Sequence, residues 1–431
     1  MTHYLLYCCA MIFVLISVLL ATSQRAQAQT REAYVAQSAD KTMLTFYYDD
    51  QRATRTGTTW GIEETKKEGD DTFPAWAGTQ DVGDSTTARV VFDASFRDFR
   101  PTTTAMWFHC CEALEQIEGL EYLNTSEVKD MSSMFSYCTS LTSLDLKNFN
   151  TQNVTNMSSM FAYCNELTSL DLKNFNTQNV TDMSRMFYDC GTLTSLDLKN
   201  FNTQNVTNMG EMFCRTSLTS LDLKNFNTQN VTNMYSMFAT CMALTSLDLK
   251  NFNTQNVTNM GEMFCECESL TSLDLKNFNT NNVTDMVGMF YDCAALTSLD
   301  LKNFNTQNVT DMRGMFSDCT SLTSLDLKNF NTKKVTDMGW MFSDCTSLTL
   351  LDLKNFNTKN VTDMGGMFSG CAALTTINSN TAWQCPESKD MFAGCTKLKG
   401  AVAYDKNKVD AKMANPKKGY FTAKPTTVKK R

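Results

Sequence analysis

From Leu141 onward the apolar residues return to the same places every 26 positions. In the first full copy they fall at Leu141, Leu144, Leu146 and Phe149, then at Val154, Met157, Met160, Phe161 and Cys164. The step of two from Leu144 to Leu146 is the alternation of a short strand, whereas Met157, Met160, Phe161 and Cys164 are spaced i, i+3, i+4, i+7 like a helical stripe. Between them, residues 147–155 read KNFNTQNVT. Asn and Thr there can bond backbone groups that a turn leaves unpaired. Asp or Asn stands just ahead of the stripe in each copy (Asn156, Asp182, Asn208, Asp285), where an N-cap belongs. Each unit therefore predicts a strand, a turn and a short helix, with turn amides stacked as an Asn ladder.

Further copies open at Leu167, Leu193, Leu218, Leu244, Leu270, Leu296, Leu322 and Leu348, and only the step from Leu193 to Leu218 is one residue short. A fixed period of this size marks a solenoid, in which each unit buries its apolar face only against its neighbours. The predicted fold is an α/β repeat solenoid: a leucine-rich-repeat-like stack of short parallel strands and short helices, with a small β-rich N-terminal cap. The pattern decays at both ends. WFHCCEAL (107–114) echoes MFAYCNEL, ARVVFDASF (88–96) reads as a first irregular strand, and LTTINSNTAWQCPESKDMFAGC (374–395) as a shortened unit. Boundaries follow: a signal peptide over 1–28, the β-rich cap region over 29–87, the solenoid over 88–397, and a C-terminal cap with a basic tail over 398–431.

The leader rests on an uncharged, mostly apolar run from Tyr4 to Leu20, followed by small residues at Ala26 and Ala28 that place cleavage after Ala28. A retained membrane anchor is the alternative. Either reading puts the rest of the chain outside the cytoplasm, secreted or at the cell surface.

The repeat LTSLDLKNFNTQNVTDM followed by two variable residues and MF, with the flanks LTFYYDD, VVFDASFRDFRPTTT and AYDKNKVDAKMANPKKGYFTA, resembles BspA-family leucine-rich repeat surface proteins of bacteria. The resemblance spans almost the whole chain after the leader. It implies a leucine-rich repeat horseshoe or rod on the cell surface, with roles in adhesion to host matrix proteins or other bacteria. Expected partners are extracellular proteins or surface polymers of host or neighbouring cells.

Charge narrows the chemistry. A formal net charge of −8 gives no basic excess for nucleic acid. The positive charge gathers at the end: Lys397 to Arg431 carries +9, so the tail is suited to anionic envelope polymers. Of the 17 cysteines, eleven (Cys111, Cys138, Cys164, Cys190, Cys241, Cys267, Cys293, Cys319, Cys345, Cys371 and Cys395) share one slot of the stripe. They read as small buried hydrophobes, with disulfides between adjacent rungs as the alternative. Cys265 and Cys267 lack the C-x-x-C spacing of a zinc site. Beyond the leader His109 is the one imidazole; it abuts Cys110, but a Cys–His nucleophile needs a third group to orient the base. No enzyme, cofactor or metal is read from this sequence.

The candidate binding surface is the strand face. If Leu144 and Leu146 turn inward, Asp145 and Lys147 point out. The same pair recurs as Asp171 and Lys173, Asp197 and Lys199, Asp222 and Lys224, Asp248 and Lys250, Asp274 and Lys276, Asp300 and Lys302, Asp326 and Lys328, and Asp352 and Lys354. Two identical charged columns favour avidity for a repetitive ligand over reading an irregular one. They equally suit a spacer or rod that binds nothing on that face. Variation falls instead on the two places before the second Met, which read SS, SR, GE, YS, VG, RG, GW and GG in different copies.

Overall fold

A computed structural model describes residues 31–423. The assigned leader and the last eight residues of the basic tail lie outside the described residues. Three antiparallel strands, Glu32–Gln37 (β1), Met43–Asp49 (β2) and Thr59–Gly61 (β3), begin the molecule, followed by a hairpin of Thr65–Glu68 (β4) and Asp71–Pro74 (β5). β2 then pairs in parallel with Arg89–Phe92 (β6), and β6 with Gln116–Glu118 (β7), giving one sheet in the order β3-β1-β2-β6-β7. The switch from antiparallel to parallel pairing joins cap to solenoid, and one hydrophobic core runs from Ala33 to Phe421. At the far end Leu350–Asp352 (β8), Thr376–Asn378 (β9) and Phe421–Thr422 (β10) form a second parallel sheet.

Between these caps the core is a column of stacked rings. Twelve phenylalanines from Phe108 to Phe392, one per rung, follow one another at 5.5 to 5.9 Å between centroids. Phe46 and Phe92 close the column at one end, Tyr420 and Phe421 at the other, so no ring faces water. The backbone bridges rung to rung in parallel at one residue each, from Thr103 through Asp130 and Asn156 to Glu387.

The expected short helices are absent: among the described residues there is no α-helix. Residues 157–164 instead form a flat ribbon of successive turns. Met160, Ala162 and Cys164 donate their N–H groups three residues back at 3.1 to 3.3 Å, while Met157, Ser159, Phe161 and Tyr163 donate theirs to the next rung at 2.7 to 3.0 Å. Ser159 (φ +55°) and Tyr163 (φ +61°) sit in the left-handed region, and the same two slots recur in almost every rung. Spacing explains the choice. Packed helices need about 8–10 Å between axes, and a stack whose rings repeat at under 6 Å has no room for them. The ribbon is thin enough, and half of its N–H groups add to the cohesion between rungs.

The expected strands are also reduced. Regular strands on the LTSLDL side occur only toward its ends, as β7, β8 and β9, and elsewhere that side is extended but loosely joined, with Thr219 N to Thr194 O and Thr323 N to Thr297 O both at 3.5 Å. The tight joints lie on the ribbon and in the turn. The fold is therefore a β-ribbon and turn solenoid rather than the α/β stack of strands and helices expected from the sequence.

Candidate functional site

The turn supplies three cross-rung columns of side-chain bonds, so the Asn ladder exists in more than one form. Asn200 Nδ2 donates to Lys173 O at 2.5 Å, and Asn179 Nδ2 to Gln152 O at 2.8 Å, with equivalents along the stack. Where Lys334 replaces the second Asn, its Nζ reaches Asn308 Oδ1 at 2.8 Å instead. The buried Thr151 hydroxyl donates to Asn176 O at 3.0 Å and accepts from Asn176 N–H at 2.7 Å. The residues placed as helix caps keep part of that chemistry without a helix: Asn156 Oδ1 accepts from Ser158 N–H at 3.0 Å and Asp182 Oδ1 from Ser184 N–H at 2.8 Å.

The cysteine slot is a column of buried, free thiols. Ten of the eleven, Cys138 to Cys395, donate Sγ–H to the phenylalanine carbonyl of the preceding rung at 2.9 to 3.2 Å. Burial pushes Cys190, Cys319 and Cys395 up to about 12. In the rung that is one residue short, Thr216 takes the slot and its hydroxyl donates to Phe213 O at 2.9 Å. The His109 and Cys110 pair is buried structure: desolvation pushes the imidazole down to about 4 and the Cys110 thiol up to about 12. A neutral thiol beside a neutral imidazole holds no activated nucleophile. Among the described residues no group of three His, Cys, Asp or Glu could hold a metal ion.

All nine Asp–Lys pairs named from the sequence stand at the surface as ion pairs within one rung, Lys Nζ to Asp Oδ2 at 2.6 to 3.5 Å. The aspartate has a second task. In the first eight rungs its Oδ1 accepts the backbone N–H of the lysine two residues on, at 3.2 Å for Asp145 and Lys147, closing the turn into KNFN. The Lys147 ammonium, then that N–H, hold the Asp145 carboxyl below the usual carboxylate range; for Asp197 and Asp248 the lysine N–H comes first. Among the described residues the lysine ammonium makes its ion pair with that aspartate. Between rungs its effect is a longer-range attraction, as when Lys173 helps to lower Asp197 and Lys224 to lower Asp248.

The ribbon face is the irregular one. Its two left-handed slots carry Ser133 and Tyr137, then Arg185 and Asp189, Glu211 and Arg215, Glu262 and Glu266, and later Trp340 and Asp344. Tyr137 stacks on Tyr163 at 4.0 Å near the N-terminal end, and Arg185 bonds Glu211 at 2.8 Å. Further along, a groove of ≈ 620 Å³ opens between Glu262 and Trp340. Sequence reasoning noted the variation but missed the groove. Its signal was present, since Gly288 and Gly314 occupy a slot that holds Ser, Arg, Glu or Trp in other rungs.

The chain is similar to several solved structures. A leucine-rich cell surface protein from Faecalibacterium prausnitzii A2-165 is 19% identical over 81% of this chain and 93% of its own, with a TM-score of 0.41. The functional domain of InlJ from Listeria monocytogenes, described as including a cysteine ladder, is 17% identical over 60% of this chain and 68% of its own, TM-score 0.21. The leucine-rich repeat protein TpLRR of T. pallidum is 16% identical over 63% and 90%, TM-score 0.22. No curated protein matches the chain. Residues 102–221, 192–301 and 284–405 each match the family described as "Mycoplasma protein of unknown function, DUF285", and because these matches together span well over half of the sequence, the chain belongs to the DUF285 family.

Proposed function

We propose that this chain is an exported surface protein that adheres to extracellular proteins or polymers of host or neighbouring cells through its repetitive face. The observation that carries the reading is the set of nine lysines, Lys147 to Lys354, each exposed and each ion-paired with the aspartate of its own rung. Identical groups at one spacing offer a ligand many equal weak contacts, and affinity multiplies when it spans several. The leader pattern of residues 1–28 and the resemblance to BspA-family surface proteins support export and adhesion. The internal pairing of the charges favours a second reading, a rod that presents its ends and binds nothing on that face.

Removing Leu141 to Thr192, two whole 26-residue units, separates the two. A shortened solenoid should still fold, since each rung contacts only its neighbours. Attachment of the protein to an immobilised extracellular-matrix extract should weaken progressively as units are removed. Unchanged attachment would eliminate the repetitive surface and leave the rod.

A further inference from the structure

We propose that the ribbon face carries one peptide-binding groove, distinct from the repetitive face, that takes an arginine-bearing basic segment of a partner protein. The groove is built by side chains that are missing. Gly288 (φ +54°) and Gly314 (φ +60°) form its floor, and a Cβ added at Gly314 would meet nothing within 4 Å. In the same slot of the flanking rungs Glu262 and Trp340 rise as walls, so the trough is two rungs wide.

Trp340 is a seated platform. Its indole lies over Gly366, where a Cβ would fall 2.6 Å from Cε3, yet the side chain is 53% exposed. Tyr291, 37% exposed, lines the trough beside Gly288, and both aromatics belong to a short set of large apolar residues left open to water among the described residues. An exposed aromatic held in one position is a surface for stacking.

Charge selects what stacks there. Glu266, Asp318 and Asp344 line the trough with Glu262, and among the described residues none has a lysine, arginine or histidine within 4 Å. Thr240 donates to Glu266 at 3.0 Å, and Ser317 and Ser343 donate to Asp318 and Asp344 at 2.8 Å, which fixes these carboxylates without neutralising them. Arg313 is the one cation at the rim, and it pairs with Asp311 at 3.2 Å. Asp292, in the same column, is raised above the usual carboxylate range, by burial first and then by Glu268, Asp318 and Glu266. The strand face, by contrast, neutralises every aspartate within its rung. A guanidinium fits both features, because it stacks on an indole and bonds a carboxylate through two parallel N–H groups. A neutral sugar would use the indole and leave the carboxylates uncompensated.

The test uses the full chain and a fluorescein-labelled peptide of alternating Arg and Gly, followed by anisotropy, with a Gln-for-Arg peptide and a neutral oligosaccharide as comparisons. Saturable binding of the Arg peptide that weakens with added salt is expected. Gly314→Gln fills the trough at a slot where other rungs carry Glu or Arg, and Trp340→Ala removes the platform. Each should weaken binding about tenfold while the chain still unfolds cooperatively, Gly314→Gln somewhat earlier because a side chain at φ +60° is strained. Lys302→Gln, on the repetitive face, should leave peptide binding as it was, and this separates failure here from failure of the adhesive reading. The proposal falls if Gly314→Gln binds as well as the natural chain. It falls equally if the Gln peptide or the oligosaccharide binds as tightly, or if binding moves with Lys302.

Discussion

The thiol column makes stability depend on alkaline pH in a way that can be calculated. Cys190, Cys319 and Cys395 are pushed from an ordinary value of 9.0 up to about 12 by burial, so each stays protonated in the fold at pH 10. In the unfolded chain the same thiols are mostly ionised there. A group whose folded pKa is raised contributes stability that is complete below the unfolded pKa and lost as pH climbs toward the folded one. With an unfolded value near 9, moving from pH 8 to pH 10 costs about 1.4 kcal/mol per thiol, and three thiols together about 4 kcal/mol. The result is insensitive to the folded value while that value stays above about 11. The assay is urea unfolding in reductant at both pH values, comparing the natural chain with a variant carrying Cys190→Ala, Cys319→Ala and Cys395→Ala. The variant starts less stable, because each missing sulfur leaves a small void, but it should lose about 4 kcal/mol less between the two pH values. Lysines and tyrosines titrate alike in both proteins and cancel. Equal losses would mean that the thiols ionise in place or are oxidised. Mass spectrometry finding Cys164 joined to Cys190 would refute the free-thiol column outright.

Two further outcomes follow from the cross-rung bonds and the surface pairs. Thr254 Oγ1 donates to Asn279 O at 3.0 Å and accepts from Asn279 N–H at 2.7 Å, so Thr254→Val, which keeps the shape, should cost about 1–3 kcal/mol by urea unfolding, whereas Thr254→Ser should retain most of the stability; equal loss in both would assign the role to packing. Replacing Lys250, Lys276 and Lys302 together by Gln should leave the urea midpoint where it was, since exposed ion pairs contribute little, and a clear drop would show that the lysine column holds the stack together.

The repeat, its single short step and its cysteine slot were all legible in the sequence because period and burial are properties of pattern. The helix was misread for a definite reason. A ribbon of paired turns advances four residues per repeat and points its first and fourth residues inward, so Met157, Met160, Phe161 and Cys164 are buried while Ser158, Ser159 and Tyr163 are half-exposed. With Ala162 also buried, the inward places still include the i, i+3, i+4, i+7 spacing of a helical stripe. What distinguishes them is backbone sign. Gly288, Gly314 and Gly366 in one slot, with Gly370 and Gly394 in the other, all have positive φ, and glycine recurring at two fixed slots of an apparent helix is the mark of left-handed positions. The groove escaped for a different reason, since it is made by two small residues between two large ones in adjacent rungs, a relation 26 residues apart that a one-dimensional reading does not display.

Repetition in this chain has two origins, which the structure separates residue by residue. Phe161, Cys164, Thr151 and the turn asparagines bond or stack on the neighbouring rung, and altering any one of them disturbs two rungs, so their sameness is required by the stack. The aspartates close a turn within their own rung, which also constrains them. The lysine ammoniums are held more loosely, paired with that aspartate across a solvated ion pair and attracted at longer range to the next rung's aspartate. On the ribbon face the left-handed slots differ from rung to rung, through Ser133, Arg185, Glu211 and Trp340, at backbone positions that favour glycine, and where their side chains reach a neighbouring rung they do so in different ways, Arg185 by an ion pair with Glu211 and Trp340 by lying over Gly366. A lysine kept nine times across solvated pairs of this weak kind is the feature on which the proposed repetitive ligand rests, while the varied slots on the other face carry the groove proposed to occur once.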